Sequence, residues 1–246
     1  MKKTSTIFQD GDHKWVAIVR DPARPGHLID TNEYLVTHGG AGMLLDPGGA
    51  EVFPAVFSAL SGEFDPSALR AIFASHQDPD ICSSLALWLE FNPGMRCYVS
   101  WLWASFIPHF GGTADTFIGM PDEGMEISLN GLNLQAVPAH YLHSSGNFHL
   151  YDRQAKILFS GDVGAALLPA GQDALFVENF DAHIRHAEGF HRRWMGSNEA
   201  KRRWCERVSQ MQIDMLCPQH GAIYRGPDVQ RFINWFDGLQ VGIAGA

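Results

Sequence analysis

Apolar residues fall in short alternating or continuous runs through the first half of the chain and take helical spacing later, which predicts strands first and a mixture afterwards. Strands are expected over residues 15–19, 33–37 and, beyond the Gly39-Gly40 turn, 42–45. A helix is expected near 51–60, and Asp65 before Pro66 offers an N-cap and a first-turn proline for another short one. Residues 71–74 read as a buried strand and 81–91 as a helix. Asn130-Gly131, flanked by strands at 126–129 and 132–137, is the strongest short hairpin signal. Another strand pair brackets Asp152-Arg153-Gln154, helices fill 181–212, a strand covers 214–217, and a last helix starts after Pro227.

No repeat, low-complexity block or Pro/Ser-rich linker divides the 246 residues, so one domain over 1–246 is expected. The order of elements predicts an α/β (α+β) layered sandwich rather than a Rossmann alternation. The formal net charge of −9 disfavours a general nucleic-acid binder. Cys82, Cys97, Cys205 and Cys217 contain no CxxC pair, which argues against a disulfide framework and a thiolate zinc site, and suits a reducing compartment. The N-terminus meets Asp10, Asp12 and His13 before any apolar region, and the apolar stretch at 97–110 is broken by Pro108. No secretory signal or bilayer span is expected, and a cytoplasmic location is.

Three apolar strands lead to metal-capable side chains: 71–75 to His76, 157–161 to Asp162, and 215–219 to His220. A fourth group, His143 in the segment 141–147, follows the strand ending near Val137. Strand ends are where α/β folds gather their sites. In an extended loop stiffened by Pro79, the residues His76, Asp78 and Asp80 alternate by two, with both carboxylates on one side. A single such His is more often a hydrogen-bonded core residue, but the joint pattern reads as six ligands at two adjacent metals.

The order His76, Asp78, Asp80, His143, Asp162, His220 resembles the metallo-β-lactamase superfamily across the whole chain. Leu142-His143, Phe159-Ser160-Gly161-Asp162 and Pro218-Gln219-His220-Gly221 are most similar to the flavodiiron proteins and their short relatives, the oxygen-binding diiron proteins. The resemblance implies a four-layer αββα sandwich. It places His76, Asp78 and His143 on one metal, Asp80 and His220 on the other, and Asp162 across both. Zinc hydrolases of the superfamily favour His at the positions of Asp78 and Ile81. Three imidazoles with three carboxylates form a harder set, which shifts preference toward iron or manganese. Two iron ions are expected, able to carry a bridging oxo, hydroxo or peroxo group.

Asp78 stands where flavodiiron enzymes usually carry Glu, and Ile81 cannot ligate; the open, apolar position it leaves suits O2 or NO. The bland reading of Ile81 is a core residue at a helix start. Only 26 residues follow His220 and no Gly-rich phosphate loop appears, so no flavin is expected in this chain. The expected function is O2 binding as an oxygen sensor or carrier with a signalling partner. An O2 or NO reductase fed by a separate flavoprotein is the alternative, and a metal-dependent hydrolase a third.

Other features carry less. The seven basic residues between Arg185 and Arg207 form either a docking patch for an acidic partner or, more simply, a solvated helix face. His183, His186 and His191 are a weak candidate for a second metal site, His140 a candidate to orient a ligand, and His149 a strand-packing residue. Trp101, Trp103, Trp194 and Trp204 read as core residues or anchors of an interface, which leaves a homodimer open.

Overall fold

The computed structural model describes residues 2–21, 28–111 and 114–243. The chain divides into two compact units, one comprising 1–21 and 31–136, the other 22–30 and 137–246. Seven strands form a first sheet in sequence order: β1 (Lys3–Asp10), β2 (His13–Val19), β3 (Glu33–His38), β4 (Ala41–Leu45), β5 (Leu69–Phe73), β6 (Arg96–Ser100) and β7 (Phe117–Met120). Pairing is antiparallel from β1 to β4 and parallel from β4 to β7. The other strands are β8 (Met125–Leu129), β9 (Leu132–Pro138), β10 (Phe148–Asp152), β11 (Ile157–Gly161), β12 (Met215–Pro218) and β13 (Tyr224–Arg225). They form a second sheet in the order β13-β12-β11-β10-β9-β8, with β11 and β12 parallel.

In the first unit, helix α1 (Phe53–Ser61) and the short helices α2 (Pro79–Cys82) and α3 (Leu85–Phe91) cover one face of the sheet. Val56 and Leu60 of α1 and Leu85 and Trp88 of α3 share a cluster with Val16, Ile18, Leu35, Leu44 and Ile72. Such burial is the main favourable term of folding. The single helix expected over 81–91 is interrupted at Ser83-Ser84, where the buried Ser84 hydroxyl donates to the Gly48 carbonyl at 2.6 Å. β1 was not expected: its Thr, Ser and Gln residues give little apolar alternation, and it is a largely solvent-accessible edge strand. The tripeptide following Asp65 is a single 3-10 turn, and Asp65 accepts from Ser67 N as its cap. The Asn130-Gly131 hairpin is present, with φ of 47° and 94°, the left-handed pair that a type I′ turn requires.

In the second unit, α4 (Phe180–Trp194), α5 (Asn198–Val208) and α6 (Pro227–Gly238) share a cluster with Tyr151, Leu158, Leu216 and Tyr224 of the sheet. The run expected to be helical over 181–212 is two helices. Ser197 accepts from Ala200 N and starts α5, while Asn179 accepts from Ala182 N and starts α4. Asp181 and Glu199 occupy first turns and Arg192, Arg193 and Arg207 last turns, which complements the helix dipoles. Among the described residues no helix is long and apolar enough to cross a membrane.

Lys2 and Glu33 form an ion pair at 2.6 Å with both side chains buried, and Thr31 donates to the same carboxylate. Burial pushes the Glu33 carboxyl above its usual range while the Lys2 charge opposes the shift. Lys2→Met leaves a buried carboxylate without its cation and is expected to destabilise by about 3–5 kcal/mol at neutral pH. The loss should shrink as pH falls and Glu33 takes up a proton in the folded state. Denaturant unfolding at two pH values measures both effects, and Lys2→Met/Glu33→Met is expected to recover most of the stability.

Candidate metal centre

His76 lies three residues beyond the end of β5, and its ring is oriented by a chain of bonds within the first unit. Asp46, at the end of β4, accepts from Ser75 N at 2.7 Å and from the Ser75 hydroxyl at 2.6 Å. The Ser75 proton is thereby used, so the contact between Ser75 Oγ and His76 Nδ1 at 2.9 Å has the imidazole as donor. A proton on Nδ1 leaves the lone pair on Nε2. That atom stands 3.6 Å from Asp78 Oδ2.

Asp78 occupies the N-cap position of α2 yet makes no side-chain capping bond. Its backbone is extended, and its Oδ1 accepts from Gln77 Nε2 at 3.2 Å. The alternation expected through 76–80 stops here. Pro79 sets the helical φ, so Asp80 falls in the first turn of α2 rather than in an extended loop. Ile81 is fully buried within the helix-facing core of the first unit, beside Cys82, Leu85 and Trp88.

Within the second unit, three loops carry the candidate residues. Asp162 directly follows β11, and its two carboxylate oxygens face different imidazoles: Oδ1 lies 3.3 Å from His220 Nε2 and Oδ2 lies 3.6 Å from His143 Nε2. His220 Nδ1 bonds the Asp30 carbonyl, which only accepts, so the His220 lone pair also sits on Nε2. A lone pair aimed at a carboxylate oxygen is unfavourable unless a cation or a second proton lies between them. The same mismatch occurs at His76 and Asp78. With imidazoles and carboxylates as the donors, the residues present fit a hard to borderline divalent metal such as iron.

The scaffold of this half is tightly bonded. The Gln219 amide donates to the Gly161 carbonyl at 2.8 Å and the Ala166 amide to the His220 carbonyl at 3.2 Å. Gly221 has φ of 87°, and a Cβ there would stand 2.9 Å from the Ala166 carbonyl oxygen, so the tail of β12 accepts only glycine at that point. Tyr141 holds φ of 64°, a conformation uncommon outside glycine and typical of functional loops. Its carbonyl accepts from Gly196 N and its amide donates to the Ser144 carbonyl, which fixes the turn that presents His143.

Sequence reasoning missed Asp46, Ser75 and an aromatic wall on α4. Phe190 and Trp194 stack on each other at 5.9 Å, and their ring centroids lie 6.1 and 5.1 Å from that of His143. Their i, i+4 spacing was the available signal. His140 packs edge-on against Phe148 at 5.0 Å. His149 is buried in β10 and accepts from Trp204 Nε1 at 3.2 Å, the strand-packing role expected of it.

The weak candidate for a second metal site on α4 fails at His191. Nδ1 donates to the Ala187 carbonyl at 2.8 Å and Nε2 accepts from Gly164 N at 3.0 Å, so neither nitrogen is left for a metal. His183 instead lies edge-on to Tyr224 at 5.2 Å. The basic stretch largely bonds within the chain. Lys201 is buried and caps the carbonyls of Asp237 and Leu239, Arg192 pairs with Glu188, and Arg202 and Arg203 pair with Glu199.

Burial draws the His191 pKa from 6.5 down to about 4. Between these values the unfolded chain binds a proton that the folded chain does not, so stability falls as pH drops through that window. The expected loss is roughly 3 kcal/mol between neutral pH and pH about 4. Chemical denaturation of the metal-free chain across that range measures it, and His191→Leu should remove the slope while leaving Gly164 N unsatisfied, at about 1–3 kcal/mol.

Comparison with known proteins gives a consistent picture. A family model described as "ODP family beta lactamase" matches residues 29–221. Two solved structures, the peroxy diiron species of chemotaxis sensor ODP and the apo state of chemotaxis sensor ODP from T. denticola, are each 40% identical, with 98% of this chain and 96% of theirs covered. Their TM-scores are 0.87 and 0.88. A flavo-diiron protein from Thermotoga maritima is 26% identical with a TM-score of 0.81, covering 96% of this chain and 61% of that one. An uncharacterized protein of Methanocaldococcus jannaschii is 23% identical over 223 residues, 86% of this chain. The chain spans about half the length of that relative, 55%. The two-sheet α/β architecture thus has the metallo-β-lactamase-like fold expected from the order of motifs.

Proposed function

The chain belongs to the ODP family of β-lactamase-fold proteins, and from that premise we propose that it is a non-haem diiron protein that binds O2 and acts as an oxygen sensor. The observation that carries the reading is the pairing, in each unit, of an imidazole lone pair with a carboxylate: His76 with Asp78, and His220 with Asp162. His76, Asp78 and His143 are assigned to one iron, Asp80 and His220 to the other, and Asp162 to both. The full chain, 1–246, is taken as one functional domain, and no flavin is assigned to it.

When bound, two irons would supply the electrons for holding O2 or NO. The protein's own part is to orient and to exclude. Ser75 and the Asp30 carbonyl hold two imidazoles with Nε2 deprotonated. Phe190 and Trp194 line the His143 side with apolar rings that favour a small neutral ligand over water. Ile81, which follows Asp80 in sequence, offers no donor, and the open gas position is assigned to that lack of a ligand rather than to its side chain, which packs in the core. His140, edge-on to Phe148, is assigned to support the turn that carries His143. All four cysteines are buried and free, which suits the reducing cytoplasm.

Anaerobic reconstitution with ferrous iron should give about two irons per chain. Asp162→Ala should lose at least one of them, because a bridging carboxylate serves both. Ser75→Ala should weaken iron binding by about 10- to 100-fold with the fold intact, since it frees the ring of His76 to rotate. Metal analysis with circular dichroism reads both, and full iron content in Asp162→Ala overturns the ligand assignment.

The likeness to flavo-diiron proteins supports one other reading, O2 or NO reduction with electrons from a separate flavoprotein. A sensor mixed with O2 in its reduced form reacts once and keeps the ligand. Multiple rapid turnovers with a flavoprotein donor would replace sensing by reduction.

A further inference from the structure

We propose that a groove in the first unit, none of whose lining residues is a metal-ligand candidate, binds a small phosphate-bearing molecule. The groove has a volume of about 350 Å³ and runs along the starting ends of β5 and β6, where Arg70, Arg96 and Tyr98 line it. Its other wall consists of the Gly39-Gly40 turn and the end of β8 with Ser128 and Asn130. His76 follows the opposite end of β5, so the groove and the metal candidates of this unit occupy different ends of the same strand.

Charge argues first. The chain carries a net −9, yet this groove has two guanidinium groups and no carboxylate in its lining. The carboxylate attached to the turn, Asp12, is engaged by Gly39 N at 3.0 Å. Among the described residues no group bonds the Arg96 guanidinium or the Tyr98 hydroxyl, and Arg70 uses only Nη1, on the carbonyls of Ser67 and Leu69. That anchoring leaves Nε and Nη2 of Arg70 directed by a fixed guanidinium. Planar guanidinium forks match the oxygens of phosphate and bind them in pairs.

Rigidity argues second. Gly39 and Gly40 have φ of 56° and 76°, and register pairs His38 with Ala41, which makes this a two-residue type I′ turn. The Asn130 side-chain amide donates to the Gly39 carbonyl, and the Asn130 carbonyl contacts His38 Nδ1 at 3.2 Å. A Cβ on Gly39 would stand 2.3 Å from the Asn130 amide nitrogen. Two hairpin turns are thus stitched into one wall, and a preorganised wall lowers the cost of ordering on binding. Hydrogen-bonding groups on Tyr98 and Ser128 and a size within the range of ligand pockets suit a phosphomonoester as well as free phosphate.

Calorimetric titration of the full chain with inorganic phosphate, adenosine 5′-monophosphate and adenosine tests the site. Saturable binding of phosphate or the monophosphate, but not of adenosine, is expected; tighter binding of the monophosphate identifies a phosphomonoester, and equal affinity identifies free phosphate. Arg96→Gln should weaken binding by about tenfold or more, and Arg70→Gln/Arg96→Gln should abolish it, with melting temperature and iron content unchanged. Arg96→Lys, which keeps the charge and loses the fork, should fall between the wild type and Arg96→Gln. No saturable binding at millimolar phosphate and monophosphate, or an affinity unchanged in the double variant, overturns the proposal.

Discussion

The Asp162 carboxylate is the constraint around which the second unit is arranged. Its two oxygens face two imidazole Nε2 atoms, and one of those rings has its only proton committed to a backbone carbonyl on the far side. In a buried setting, where charges are poorly screened, that arrangement is electrostatically unfavourable by itself and becomes favourable around a cation. The first unit repeats the logic through a different route, with a serine hydroxyl and Asp46 fixing the His76 proton. Two unrelated local networks produce the same outcome, an Nε2 lone pair beside an acid. Ordinary core histidines are arranged the other way, as His191 shows: both of its nitrogens are matched to groups of the right polarity.

What keeps Asp162 in place is largely backbone. His191 and Tyr224 hold Gly164 by its amide and its carbonyl, two residues after the carboxylate. The tail of β12 is clamped to residue 166 at a point where only glycine fits, and the His143 turn passes through a left-handed tyrosine. Strain at Tyr141 is maintained because Gly196, Ser144 and the Asn147 side chain bond the turn on several sides. The donors therefore sit on loops, but on loops with few degrees of freedom.

Much of this was legible in the sequence. The apolar runs before His76, Asp162 and His220 were visible because buried strands read as continuous hydrophobic segments. The Asn130-Gly131 turn was visible because few dipeptides accept two positive φ values in succession. What stayed hidden depended on tertiary partners. Ser84 looks like an ordinary helical residue until tertiary packing brings the Gly48 carbonyl to its hydroxyl. Asp46 and Ser75 look like loop residues until β4 and β5 pair in parallel and bring them side by side. β1 lacks an apolar face because an edge strand needs none.

Asp78 shows how a local rule can fail for an informative reason. It stands at the N-cap of a helix that begins with proline, the position where an aspartate ordinarily accepts from the first turn. It makes no such bond and turns toward His76 instead. Forgoing a cap costs about 1 kcal/mol. The Asp78 carboxylate accepts from Gln77 and faces an imidazole lone pair instead of capping the helix, and a shared metal ion would return more than the cap was worth. The short reach of aspartate makes the placement sharper: with one methylene between backbone and carboxylate, the backbone at the start of α2 largely decides where the oxygens go, so the conformation of residues 76–80 would be coupled to the coordination of any metal held there.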